Sequence, residues 1–399
     1  DLGAFLEQLA AASDVHQTLA SIEPTFYHYR LLEQTLQRYR RLAIEQQALP
    51  ALPLLQRRSV KPGEYYVGAP QLRNLLRLLG DLPGRVPASA TAPSLPAMTL
   101  DPELVAGLQH FQIRHGLAAD GTLGKTTFTA LATPLTRRVR QIELTLERWR
   151  WLPPFDTPPI IVNIPEFRLF AFRGTQDRKS DILQMDVIVG RTYLATQTPV
   201  FAADMRYVIF RPYWEVPYSI AKREMLPLIR ADSRYLSAQH LQIVSAGDSA
   251  GVALAPTAAN IDALATGRTR LRQAPGPDNA LGLIKFMLPN AHNVYLHATP
   301  AHRLFGESRR AFSHGCIRVS DPVALAVHVL RNASDDWTAE RIEAAMNGAS
   351  TLRVDLARPI RVLIVYGTVL AMESGDVYFF DDIYGHDRKL ESLLGLPAT

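Results

Sequence analysis

One stretch of this sequence concentrates residues able to do covalent chemistry. It runs Tyr295-Leu296-His297-Ala298-Thr299 and, after a loop, Ser313-His314-Gly315-Cys316-Ile317-Arg318-Val319. Cys316 is the sole cysteine, so no intramolecular disulfide can form. On composition alone such a cysteine reads as a small buried hydrophobe; its neighbours point to reactivity instead. A thiol is a nucleophile only as thiolate, which needs a base or a positive local field, and the nearby histidines and Arg318 can supply both. Gly315, lacking a side chain, lets backbone and substrate approach closely, so the amides of Gly315 and Cys316 are candidates for facing a developing oxyanion. Ser320-Asp321-Pro322 reads as a helix start ahead of the apolar run Val323 to Leu330. The cysteine therefore precedes a helix N-terminus whose partial positive charge, if aimed at the sulfur, favours thiolate.

The elements around this stretch are strands. Runs rich in Val, Ile, Phe and Tyr at 159–164, 167–172, 184–189, 206–210, 283–288 and 293–297 predict a mainly β domain beginning after Pro153-Pro154. From about 219 to 275 the strand signal lapses into polar, helical and Pro/Gly-rich sequence, an insertion long enough to be a lid or binding subdomain. Tyr213, Trp214 and Tyr218 stand just before it, as walls for a substrate cleft or as core packing. Beyond the cysteine, 322–331 and 338–346 read as helices, 361–366 and 376–380 as strands, and the chain ends on a short helix.

The first 151 residues read differently. Phe5, Leu6, Leu9, Tyr27, Leu31, Leu32, Leu36 and Leu42 recur at helical spacing, and 136–151 is helical and basic. Between them, 60–135 reads as short helices interrupted by a Pro/Ala/Ser-rich loop from Pro83 to Pro96. Its second half carries Phe111, Gln112, His115, Gly116, Leu117, Asp120, Gly121, Leu123, Gly124 and Thr127: a helix closed at Gly116, a tight Asp120-Gly121 turn and a further helix from about Thr126. This FQxxHGLxxDGxLGxxT pattern resembles the three-helix peptidoglycan-binding domain appended to many cell-wall enzymes.

The arrangement of His297 nineteen residues before Cys316, the last residue of an intact Ser-His-Gly-Cys, resembles the L,D-transpeptidases of the YkuD type. The stretches Glu147 to Pro153, Pro212 to Pro227, Gly276 to Phe286 and Val377 to Asp387 resemble their large Gram-negative periplasmic members. That resemblance implies an α+β multidomain chain: a helical scaffold over 1–59, a peptidoglycan-binding domain over 60–135 and a helical linker over 136–158. It further implies a catalytic domain over 159–352 with a helical lid at about 219–275, and strands and a helix over 353–399 that complete it. It implies Cys316 as nucleophile, His297 as general base with the Ala298 carbonyl orienting its ring, Gly315 in the oxyanion hole, His314 shaping the loop or positioning substrate, and Ser313 among the catalytic residues. Arg318, Tyr295, Tyr213, Trp214 and Tyr218 are the expected substrate contacts, with Arg318 as a partner for a stem carboxylate or as an ion pair holding the loop. The implied reaction is a 3→3 cross-link between meso-diaminopimelate residues through a Cys316 thioester. L,D-carboxypeptidation and attachment of a lipoprotein to peptidoglycan share that acyl-enzyme, and a non-catalytic peptidoglycan-binding protein is the rival from another class. Carbapenem β-lactams are the expected covalent inhibitors, the periplasm the expected compartment, and a monomer the expected state.

Composition sets the outer limits. The 399 residues suffice for two to three domains, with 47% hydrophobic and 20% charged content. No apolar run reaches the roughly eighteen residues of a membrane helix, and the sequence opens at Asp1 without a positively charged leader, which predicts a soluble, processed or truncated form. The net charge is +5, and only six of the 43 basic residues are lysine. No basic run interleaved with aromatics suggests nucleic acid. His297, His302, His314 and Cys316 lack the tight spacing of a metal site, so neither metal nor cofactor is expected.

Overall fold

The computed structural model describes residues 2–24, 26–83, 98–153, 157–174, 182–247, 251–333 and 335–396. All but the first residue of the expected Pro83 to Pro96 loop lies outside them. The chain divides into two units, Asp1–Pro154 with Tyr366–Thr399, and Phe155–Val365.

In the first unit, helix Tyr27–Gln46 buries Tyr29, Leu32, Thr35, Tyr39 and Ala43, positions three to four residues apart that share one face. That stripe packs with Leu135, Ile142 and Leu146 of helix Leu135–Arg150 and with Val369, Val377 and Phe379. A second core gathers Leu72 and Leu76 of helix Ala69–Leu79, Leu104, Leu108 and Phe111 of helix Pro102–Arg114, and Leu131 of helix Lys125–Ala132. Two-residue strands Ser59–Val60 and Leu123–Gly124 pair beside it. The glycine-rich pattern has a local explanation here. Buried Gln112 donates to Asp120 Oδ1 at 3.0 Å and Thr127 Oγ1 at 3.1 Å, while its own carbonyl accepts from the Gly121 N–H at 2.9 Å. Gly121, at φ 67°, supplies the left-handed turn that this clamp closes over.

The second unit is a mixed α/β domain dominated by one nine-stranded sheet. Its order runs Ala311–Ser313, Leu183–Gly190, Ile317–Val319, Leu296–His297, Ile284–Met287, Phe201–Phe210, Leu352–Val365, Ile160–Asn163, Arg168–Ala171. The last of these also pairs with Leu183–Gly190, which closes the sheet on itself. The region beyond 352 divides between the units: Leu352–Val365 belongs to the closed sheet, whereas Tyr366 onward belongs to the first unit.

The insertion is not purely helical. It contains a four-stranded antiparallel sheet, Trp214–Glu215, Thr269–Gln273, Leu241–Ser245 and Ala253–Leu254 in that order, together with helices Leu226–Ala231, Arg234–Ala238 and Ala258–Leu264. Ile243 and Val244 are β-branched, a strand signal within the polar surroundings, whereas Thr269-Arg-Leu-Arg-Gln carries only one apolar residue. The insertion also has its own core, in which Leu271 is fully buried among Ile229, Leu236, Ile243 and Leu264. Leu271→Ala should cost about 2–5 kcal/mol and raise amide exchange within 214–273 while the closed sheet stays protected; equal deprotection of both sheets would contradict a separate core.

Candidate active site

Three adjacent strands position the chemistry. Lys285 pairs with His297 across antiparallel strands, and His297 pairs with Arg318 across the parallel pair. Residues directly opposite each other share a face, and so do residues two apart along a strand. Lys285, Tyr295, His297, Cys316 and Arg318 therefore occupy one face at this point of the sheet. The alternate positions Ile284, Phe286, Leu296, Ile317 and Val319 are buried on the other. The segregation is a direct consequence of the two-residue period.

The turn bearing the cysteine is held from three sides. Ser313 Oγ donates to the Cys316 carbonyl at 2.6 Å and accepts from the Gly315 N–H at 3.1 Å. Thr198 Oγ1 donates to the Gly315 carbonyl and accepts from the Gly190 N–H, both at 2.8 Å. Gly315 adopts φ 117°, a conformation side chains rarely enter. Its N–H is thus already committed to Ser313, contrary to the expectation that it faces an oxyanion. The Cys316 N–H, in contrast, has no acceptor among the described residues. Strand Ile317–Val319 separates the sulfur from helix Pro322–Leu330, whose first turn Asp321 caps through the Ala324 N–H at 2.9 Å. The positive groups near the sulfur are Arg318 and Lys285.

His297 is buried, and its Nδ1 lies 2.6 Å from the Ala298 carbonyl. An Nδ1–H donating there assigns the lone pair to Nε2. Burial, reinforced by Arg318 and Lys285 and opposed by the Ala298 and Leu281 carbonyls, pushes the imidazole down to about 3. Around neutrality the ring is a neutral base. Burial likewise pushes the Cys316 thiol up, against hydrogen bonds from the Tyr295 backbone and phenol and the charges of Arg318 and Lys285. The thiol lies 3.8 Å from the Asn293 carbonyl, a residue held at φ 54°.

The remaining candidates fall around this centre. Arg318 Nε is buried without an acceptor, beside a cavity of about 260 Å³ that Trp214, Met225, Gln273 and Thr299 also line. Arg191, whose Nε donates to the Phe312 carbonyl at 3.2 Å, adds a second cation near Arg318. His314 turns toward the insertion, its Nε2 2.8 Å from Glu224 Oε1. Tyr213 and Tyr218 engage insertion residues: the Arg272 guanidinium sits 4.7 Å over the Tyr213 ring, and the Tyr218 hydroxyl donates to the Ala265 carbonyl at 2.6 Å. His302 opens the short helix His302–Gly306. Lys285 and Thr198 were missed in the sequence. Lys285 lies in a strand run whose register alone brings it opposite His297, and Thr198 carries no local signal that it supports a turn over a hundred residues away.

A closed sheet with a Cys-His pair on one face defines a recognisable class. Residues 158–342 match the family model of the L,D-transpeptidase catalytic domain, YkuD, and this segment is such a domain. A Haemophilus influenzae (strain ATCC 51907 / DSM 11121 / KW20 / Rd) protein named "Putative L,D-transpeptidase" is 31% identical over 252 residues, covering 63% of this chain and 49% of its own. The chain thus spans about half the length of that curated relative. Among solved structures, a fused Zn-dependent amidase/peptidase/peptidoglycan-binding domain-containing protein from Clostridium acetobutylicum ATCC 824 shows 12% identity and a TM-score of 0.19, over 77% of this chain and 99% of that one. A likeness that loose carries no argument.

The depressed imidazole makes a stability prediction. Between pH 6.5 and about 3 an unfolded chain protonates His297 while the folded one does not. Stability from this group is therefore present above 6.5 and lost as pH falls below it. Denaturation midpoints measured at pH 7 and pH 4 should differ less in His297→Gln than in the wild type. Parallel losses in the two proteins would show that burial does not hold this ring neutral.

Proposed function

We propose that this chain is a peptidoglycan L,D-transpeptidase that forms 3→3 cross-links through a Cys316 thioester. The observation that carries the reading is the shared sheet face of His297 and Cys316, with Arg318 beside them, its Nε without an acceptor among the described residues. His297 Nε2 takes the thiol proton, and the sulfur attacks the carbonyl between the L-centre of meso-diaminopimelate and the terminal D-alanine of a donor stem. The Cys316 N–H is the donor available to the oxyanion. The C–N bond breaks, and D-alanine leaves with the proton that His297 held. The side-chain amine of a second diaminopimelate then attacks the thioester, returning the thiol and leaving the cross-link.

Arg318, half-buried with an Nε that meets no acceptor among the described residues, suits a stem carboxylate, because a guanidinium in a cleft is stabilised by an anion and a planar fork matches one bidentately. The cavity shared by Arg318 and Trp214 gives the insertion the role of a lid over the donor stem. Residues 60–135 are assigned to peptidoglycan binding on the pattern they carry, and the compartment to the periplasm, where the polymer lies. A carbapenem, as a strained acyl donor, is assigned to the same sulfur.

Cys316→Ala and Cys316→Ser should abolish turnover while retaining the wild-type circular dichroism, and His297→Ala should slow acylation by about 10²–10⁴-fold. Mass spectrometry of muropeptides from treated sacculi should show diaminopimelate-to-diaminopimelate dimers, and intact-mass spectra with a carbapenem should show a single adduct that Cys316→Ala loses. Trimmed stems without dimers would make the enzyme an L,D-carboxypeptidase. Dimers produced by Cys316→Ala would overturn the assignment of the nucleophile.

A further inference from the structure

The catalytic face holds a cation that the proposed mechanism does not use. Lys285 is one of only six lysines in the chain, and it stands opposite His297 in the strand register. Its ammonium lies 5.6 Å from the centre of the Tyr295 ring, and the Tyr295 phenol hydrogen-bonds to Cys316. The surroundings are short of negative charge. The next strand places Ile209 opposite Lys285, and the strand beyond it places Arg353, whose guanidinium is committed to Asp355 and stacked over Tyr207. On the other side come His297, Arg318 and, behind Arg318, Arg191. Among the described residues no carboxylate forms an ion pair with Lys285.

A half-buried ammonium without an anion is costly, and in this row of lysine, imidazole and guanidinium the one group that can acquire negative charge beside it is the Cys316 sulfur. The Tyr295 ring between them offers a π face to the cation and an O–H to the sulfur. We infer that Lys285 is the counter-charge of the Cys316 thiolate, a positioning residue that acts through the sulfur and the Tyr295 phenol to raise the thiolate population before substrate arrives. Arg318 also faces the sulfur, but it borders the substrate cavity, and a carboxylate bound there neutralises it. Lys285 is not among the residues that line that cavity, so its charge persists when the cleft is filled. Burial lowers the Lys285 ammonium and the facing sulfur raises it, in keeping with a mutual interaction. The inference rests on Cys316 being the nucleophile.

The test reads the sulfur without turnover. Pseudo-first-order alkylation of the full chain by iodoacetamide, followed by intact mass from pH 5 to 11, reports the thiolate fraction at the sole cysteine. Lys285→Met and Lys285→Gln should shift the midpoint upward by about one to two pH units and slow alkylation at pH 7 about ten- to hundredfold, while leaving the limiting rate at high pH within about twofold. Lys285→Arg, which keeps the charge, should stay within about threefold of the wild type at pH 7. Profiles of both neutral variants superposing on the wild type would overturn the inference, as would a Lys285→Arg shift equal to theirs, since that would mark a packing role. A wild-type protein that alkylates as described yet yields no cross-linked or trimmed muropeptide would sink the proposed function and leave the role of Lys285 standing.

Discussion

Everything chemical in this protein depends on the two-residue period of three short neighbouring strands. Because alternate side chains point to opposite sides, Ile284, Phe286, Leu296, Ile317 and Val319 fill the core from the same segments that present Lys285, Tyr295, His297, Cys316 and Arg318. A one-residue slip in any of these strands would bury a charge and expose a core side chain at once, so packing holds the register and the register holds the site. The cost of a misplaced catalytic group is thereby transferred to the hydrophobic core, where it is large.

Electrostatics at the site are a contest between desolvation and local charge. Burial favours the uncharged thiol and the uncharged imidazole, and the cations of Arg318 and Lys285 oppose it at sulfur while reinforcing it at the ring. The same two residues therefore favour a charged sulfur and make any proton held by the imidazole easier to release. A histidine elsewhere on the sheet, without those cations, would keep more of its proton affinity. The base here is weak because its environment is positive, which suits a group that must release its proton to a leaving amine.

Much of the site was legible in the sequence because the chain writes it contiguously: Ser313 to Arg318 form one turn and one strand, and the histidine is a single strand away. The major strands of the catalytic sheet were readable for a related reason, since buried strands leave runs of β-branched and aromatic residues. What could not be read depends on distant pairings. Lys285 is an unremarkable lysine between two apolar residues until the register puts it opposite His297, and Thr198 acquires its role only when Gly190 and Gly315 close around it. The sheet of the insertion was hidden by composition, because Thr269–Gln273 carries a single apolar residue, Leu271, among Thr, Arg and Gln, and buries Arg272 and Gln273 as well. The commitment of the Gly315 amide to Ser313 was invisible for the opposite reason: both residues were in plain view, and only a backbone torsion decides which acceptor the N–H meets.

The closure of the nine-stranded sheet bears on how a peptide can be recognised at all. Pairing of Arg168–Ala171 with Leu183–Gly190 leaves, among the described residues, the three-residue Ala311–Ser313 as the end strand of this sheet's order, although residues 352–361 keep an open side because their strand, Leu352–Val365, meets Ile160–Asn163 only from Val362. An end strand that short can add at most a couple of main-chain hydrogen bonds, so it offers little to β-augmentation, the common way for a sheet protein to grip an extended chain. A ligand there must instead be told apart by its side groups and termini. Recognition of that kind suits a ligand whose backbone cannot hold the regular pleat of an added strand.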